Sequence, residues 1–282
     1  MSVIVNTNVQ SLVSQRNLTS ATNALNKSTQ RLSTGLKINS AADDAAGLFV
    51  AKGLESQLSG SEQCRTNIAL AINVLEIAEG DLSTISDNIA RIKDLATQAA
   101  TGIYSSASRT AMQQEIDGRL AEITRIAQSS NFNGFNLLDG NSALAGGLII
   151  QVGHGSDAAT NSVTIENVFV ASGADDIGLT SDLILVGTPA EAAATIQYCA
   201  DAIELVTQRR TNMGVSQARL EMTSDRLATS IEHLASTKST IMDTDIGKET
   251  SELTKQQILQ QISTSVLTQA NQAPAIALSL MQ

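Results

Sequence analysis

The 282-residue chain contains no tryptophan, two tyrosines and four phenylalanines, so aromatic residues make up 2% of it. Rings supply much of the burial in compact interiors, so this core must be assembled from Leu, Ile, Val and Ala, which suits thin helical layers. Prolines number only two, Pro189 and Pro274. Each interior proline would cost a helix about 3 kcal/mol, and their scarcity leaves room for very long uninterrupted helices. Two cysteines, Cys64 and Cys199, lie in no CxxC pair and exclude a disulfide framework. They read as two buried or partly buried free thiols. No apolar run approaches the roughly 18 residues of a membrane-spanning helix, which argues against membrane insertion. The opening MSVIVNTN has no basic leader and its apolar stretch stops after Val5. The expectation is a chain that stays inside the cell or leaves by a route without a cleaved signal. Basic residues are also scarce: 18 against 28 acidic, for a net charge of −10. Such a surface repels phosphate backbones and anionic lipid, which excludes nucleic acid as a partner.

Catalytic chemistry is equally sparse. The two histidines, His154 in a Gly-flanked turn and His233 on a helix, have no partner at metal-ligand spacing. Asp43 and Asp44 form the one obvious carboxylate pair, but they follow Ser40 in an S-x-x-D arrangement at a helix start. There they serve the free N–H groups and the helix dipole. The Gly146-Gly147 and Gly153–Gly155 clusters do not lead into a helix, so no phosphate loop is present. The reading is of a non-enzyme without cofactor or metal.

What the chain does have is helical periodicity. Ile68, Ala71, Leu75, Ala78, Leu82, Ile85, Ile89, Ile92, Ala96 and Ala99 alternate spacings of three and four without a miss. Such a run defines a coiled-coil seam about 48 Å long at 1.5 Å per residue. After a break around Thr101–Ser108, Met112, Ile116, Leu120, Ile123 and Ala127 predict a second helix returning alongside it. Val206, Met213, Leu220, Leu227, Leu234 and Ile241 recur every seven residues and predict a third, with Gln217 and Ser224 at its second seam position. Both chain ends are striped as well: Leu18, Ala21, Leu25, Ser28 and Leu32 at one, Leu259, Ile262, Val266, Ala270, Ala273, Ala277 and Leu280 at the other. Two matching stripes invite pairing with each other and with further copies of the chain. A single helix is marginal alone, so both ends are expected to order only on assembly.

Between about 130 and 190 the texture shifts to Gly, Asn and Ser with β-branched runs. Leu148–Val152 and Val163–Val170 read as strands, and Leu183–Val186 as a third. The fold class is therefore mainly α: a long antiparallel helical bundle with coiled-coil terminal helices and a small β-hairpin region in the middle.

Three motifs give the chain a family resemblance. QRLSTGLKINSAADDAAGLFVA, Gln30 to Ala51, closely resembles the signature segment of bacterial flagellins. SNFNGFNLLDG, Ser130 to Gly140, is similar to the family's motif after the second helix, and ILQQISTSVLTQANQAPAIALSLMQ, Ile258 to Gln282, to its C-terminal end. The resemblance implies a filament subunit outside the cell, exported unfolded through the flagellar type III apparatus and self-assembling for motility. It implies an inner coiled-coil domain of residues 1–42 with 243–282, and an outer helical domain of 43–242 with a short variable β-rich segment at about 140–190. Leu18, Leu25, Leu32, Leu259, Ile262, Val266 and Leu280 become the assembly residues. The implied partners are other flagellin copies, an export chaperone, the filament cap and the hook–filament junction proteins. Host flagellin receptors complete the set. ARIKDLATQ, Ala90 to Gln98, resembles the stretch sensed by a mammalian Toll-like receptor, which points to Arg91 and Leu95 on one helix surface, with Glu115 on the adjacent helix. Gln30 to Ala51 likewise resembles the peptide perceived by plant receptors, with Asp43, Asp44 and Gly47 at matching positions. Cysteine is unusual in the family, and Cys64 departs from its pattern. Outside this reading stand a cytoplasmic coiled-coil signalling or scaffold protein, which striped termini disfavour, and a hook–filament junction protein of the same architecture.

Overall fold

The computed structural model describes residues 7–140, 147–166 and 168–279, with side-chain surroundings described as far as Gln272. Six helices carry the fold: α1 (Val9–Thr34), α2 (Ala45–Ala99), α3 (Ser106–Ser129), α4 (Ala158–Asn161), α5 (Pro189–Met242) and α6 (Ile246–Ser279). Two antiparallel hairpins are inserted between α3 and α5: β1 (Asn131–Phe132) with β2 (Phe135–Asn136), and β3 (Leu148–Gln151) with β4 (Ser162–Ile165). The chain divides into two compact units, residues 1–58 with 232–282 and residues 59–231.

In the second unit the ten-position seam of α2 is the core. All ten residues from Ile68 to Ala99 are at most 5% exposed, eight of them fully enclosed. Against them lie Ile116, Leu120, Ile123 and Ala127 of α3 and Val206, Met213, Leu220 and Leu227 of α5. Ion pairs mark the registers: Arg91 lies 3.0 Å from Glu115 across α2 and α3, and Arg210 lies 2.5 Å from Glu79 across α5 and α2. Arg119 also reaches back to the Asn88 side chain at 3.1 Å, so positions on α2 and α3 that face one another sum to about 206 and the helices run antiparallel. The register of α5 sets Cys199 level with position 90 of α2, about 39 Å from Cys64 at 1.5 Å per residue. Both thiols are free and buried.

The inserted segment differs from the sequence reading in three places. Asn133 and Gly134, with φ of 50° and 83°, form the two-residue turn of the β1–β2 hairpin, a type I′ signal that the periodicity reading passed over. β4 stops at Ile165 rather than continuing to Val170. Leu183–Val186 is not a strand, because its ladder partner is a side chain. The Gln113 amide donates to the Ile184 carbonyl at 2.9 Å and accepts from the Val186 N–H at 2.9 Å. Thr195 donates to the Leu185 carbonyl from the other side. Ile184 and Val186 are fully buried by this arrangement, so the apolar pattern reports burial without a sheet. Deeper in, the Arg209 guanidinium donates to the Ala171 carbonyl and the Ser172 hydroxyl, and burial lowers its pKa from the usual value.

In the first unit α1 and α6 are helical and lie against each other. A small second core of Ile38, Ala51 and Met242, flanked by Leu36, Leu48 and Ile241, sits beside them. Lys238 reaches Glu55 there at 3.6 Å.

Candidate functional site

Two features of the first unit bear on function: the loop joining α1 to α2, and the outer face of the α1–α6 pair. Gly35 ends α1 in the left-handed conformation, φ 72°, with its N–H on the Arg31 carbonyl. The chain then bridges to residues 242–244: the Lys37 N–H donates to the Met242 carbonyl, and the Thr244 N–H to the Gly35 carbonyl. Asp43 organises the turn that follows. One carboxylate oxygen accepts from the Asn39 and Ser40 amides and the Ser40 hydroxyl at 3.1–3.3 Å, and the other lies 2.6 Å from the Lys27 ammonium. Lys27 first, then these donors, hold its pKa at about 2. Asp44 caps α2 by accepting from the Gly47 N–H at 2.9 Å. A Cβ at Gly47 would sit 2.6 Å from the Asp44 carboxylate and 2.7 Å from Ile38, so only glycine fits that approach without a shift. Asp43, Asp44 and Gly47 thus have complete structural roles in one compact cap.

The terminal pair is antiparallel. Asn8 donates to the Ala270 carbonyl at 2.7 Å, Ser11 to the Asn271 side chain at 2.6 Å, and Gln260 to the Thr22 hydroxyl at 3.3 Å. Arg31 approaches Glu249 at 3.7 Å at the far end. Facing positions therefore sum to about 281. Leu18, Leu25 and Leu32 are half-buried, and between them Ser14, Ala21 and Ser28 are buried. On α6 Glu249, Leu253, Gln256, Gln260, Ser263, Leu267 and Ala270 are covered, again alternating four and three, with Glu252 half-covered beside Leu253. The register sets Leu25 opposite Gln256 and Leu253 opposite Ser28, an apolar side chain against a polar one at both levels.

This corrects one expectation. The α1 stripe packs on α6, but Ala270 alone of the described α6 stripe positions lies in a seam that is otherwise half polar. Leu259, Ile262 and Val266 lie outside it, 39%, 52% and 46% exposed. Ile258 stands beside them, and Val9, Leu12 and Val13 are exposed on α1. Leu280 lies outside the described residues.

In the second unit, Arg91 and Glu115 are paired on the surface. Leu95, expected on the same helix surface as Arg91, is instead 3% exposed within the core. The spacing of four does not place it outward, because α2 covers a stripe wide enough to take in both Leu95 and Ala96. His154 and His233 are exposed. Among the described residues no group of three His, Cys, Asp or Glu could hold a metal ion, and no helix is long and apolar enough to cross a membrane.

Residues 5–143 match the bacterial flagellin N-terminal helical region, and residues 196–281 the bacterial flagellin C-terminal helical region. The chain is similar to Flagellin FlaB2 of Treponema pallidum, 36% identical with 99% of this chain and all of that protein covered. The Flagellar filament 33 kDa core protein of Treponema phagedenis is equally similar, 36% identical over the same shares. Polar flagellin F of Vibrio parahaemolyticus is 31% identical over the whole of both chains. A solved structure from Vibrio parahaemolyticus, assigned to the flagellar hook-associated proteins, shares the fold: TM-score 0.60 over 71% of this chain and 100% of that one, at 16% identity. Spanning both matched helical regions and aligned end to end with these relatives, the chain belongs to the bacterial flagellin family.

Proposed function

We propose that the protein is the structural subunit of a flagellar filament, polymerising through its terminal segments 1–42 and 243–282 while 43–242 carries the rest of the fold. The observation that carries this reading is the outer face of α6. Leu259, Ile262 and Val266 are spaced three and four apart and each is more than a third exposed although the helix already has a partner. Burying the remaining surface of such a side chain contributes about 1 kcal/mol each, so neighbouring copies would gain from covering them. The seam of the pair is half polar and stabilises the single chain only modestly, which leaves the apolar face for assembly. Family membership supports the same reading. Export through the flagellar type III apparatus with an export chaperone, growth under a filament cap and attachment through hook–filament junction proteins belong to this proposal.

Host recognition is a second, incidental property. Its support is that Arg91 and Glu115 are exposed and paired across two adjacent helices, so that a receptor surface could engage both at once. Leu95 would act beneath them by holding α2 in place, and Asp43, Asp44 and Gly47 by shaping the segment that plant receptors read.

The test of assembly is the Ile262→Asp, Val266→Asp double variant. Both positions point away from α1, so helical circular dichroism should match the unmodified chain while sedimentable polymer is lost. Polymerisation at the unmodified critical concentration would overturn the role of this face.

A further inference from the structure

The second unit exposes two uncharged apolar features at opposite ends of the same helix pair. The first is a groove of about 490 Å³ between α2, the β1–β2 hairpin and β3, lined by Leu70, Val74, Phe132, Phe135, Leu148 and Ile149 among others, with no charged side chain in its wall. Leu70, Phe135 and Ile149 are 49%, 46% and 68% exposed. Two of the four phenylalanines in a nearly ring-free chain are placed here, although rings are the side chains that anchor interfaces most strongly. The second feature is the turn between α2 and α3. Ile103 is 83% exposed at its tip, more than any other large apolar side chain described. The turn is held in shape from below: Arg109 donates to the Tyr104 carbonyl at 2.6 Å and to the Gly187 carbonyl at 2.8 Å, and Ser105 caps α3 by accepting from the Ser108 N–H. A tip fixed in this way loses little freedom on docking.

We propose that the Ile103 turn of one copy seats in the Phe135–Ile149 groove of the next. The proposal rests on the filament reading and names a contact within it. Three observations select a second copy as the occupant. Groove and tip are separated by about 44 Å of α2, from position 70 to position 99, at 1.5 Å per residue, so one copy cannot fill its own groove. A contact between two different surfaces of the same chain is head-to-tail, and unless its rotation closes a ring it generates an open polymer, as a filament requires. The chain carries a net charge of −10, so copies repel wherever acidic surface meets acidic surface. The groove wall and the residues Thr101–Ser105 are both free of charge and escape that repulsion. The groove is wide enough for a loop tip rather than one side chain.

The experiment uses the full chain with Ile103→Cys, Ile149→Cys and the double variant, treated with a short bismaleimide; Cys64 and Cys199 are buried and stay unlabelled in the folded protein. Each thiolate adds across one maleimide double bond, with no leaving group. Polymer of the double variant should give a denatured ladder beyond dimer, and a mixture of the two single variants should give crosslinked dimer that neither single variant gives alone. Filaments that assemble but yield no ladder would overturn the contact and leave the groove to another occupant. If the unmodified chain makes no filaments, the filament reading fails separately, and the mixed single variants in concentrated solution still decide the contact: dimer absent from either variant alone supports it, and no more dimer than either gives alone overturns it. Independently, Ile103→Asp should raise the critical concentration tenfold or more without changing the circular dichroism spectrum. An unchanged critical concentration would count against the proposal.

Discussion

Replacing Leu95 with alanine separates architecture from recognition. The side chain is 3% exposed and packs in the main core beside Ile92 and Ala96, both fully enclosed. Truncating such a leucine removes its transfer energy and leaves a cavity that the surroundings only partly close, at a cost of about 2–5 kcal/mol. In a unit of this size each kcal/mol lowers the unfolding temperature by about 2–4 °C, so Leu95→Ala should unfold roughly 4–20 °C earlier. Arg91→Ala removes an exposed ion pair with Glu115, whose two side chains are 44% and 39% exposed. Pairs of that kind contribute about 0–1 kcal/mol, so the unfolding temperature should barely move. Thermal circular dichroism of both variants, followed by Toll-like receptor activation at a temperature where both are folded, makes the division visible. Arg91→Ala should lower activation at full stability, whereas Leu95→Ala should lower stability first. A Leu95→Ala protein that unfolds with the unmodified chain yet loses recognition would refute the placement of this residue in the core.

Asp43 gives a pH dependence with a definite sign. Its folded pKa is depressed to about 2 from an ordinary 3.8, so the loop gains stability above pH 4 that is lost as pH falls from about 4 through 2. Amide exchange at Asn39 and Ser40 should accelerate in that window, and Asp43→Asn should flatten the dependence; an unchanged profile in the variant would exclude the carboxylate as its source. Burial pushes the Cys199 thiol to about 11 and raises Cys64 as well. Alkylation at pH 8 should therefore be slow in the folded chain and rapid for both thiols in denaturant, and a Cys64–Cys199 crosslink would contradict the registers of α2 and α5. Gly47→Ala should destabilise the first turn of α2, although alanine ordinarily favours a helix by about 1 kcal/mol. The clash with Asp44 and Ile38 reverses the sign, and faster exchange in the variant would show it, while slower exchange would deny it.

The helices of the second unit were legible because every seam position of α2 is apolar and every one is buried. A signal repeated ten times survives local exceptions such as Leu95, which adds to the stripe without disturbing its period. The α6 seam was illegible for the opposite reason: Gln256, Gln260 and Ser263 face α1, and Leu259, Ile262 and Val266 of the apolar stripe that the sequence displays are left uncovered. Small buried residues on α1, Ser14, Ala21 and Ser28, let the helices approach without apolar bulk to announce it. Gln113 was invisible as a strand substitute because its partners lie 71 and 73 residues away. Asn133-Gly134 could have been read, since two adjacent positive-φ residues between short apolar segments are a local hairpin signal. The Phe135–Ile149 groove could not, because it forms only where a hairpin, a strand and a helix meet.

The central claim is that the apolar face of the terminal pair is what the chain polymerises through. The most direct measurement is sedimentation and negative-stain microscopy of the purified full chain beside one lacking residues 243–282. The account predicts helical filaments from the first, and from the second a soluble protein that keeps the helical circular dichroism of residues 59–231. Discrete particles from the full chain, or filaments that persist after the deletion, would contradict it.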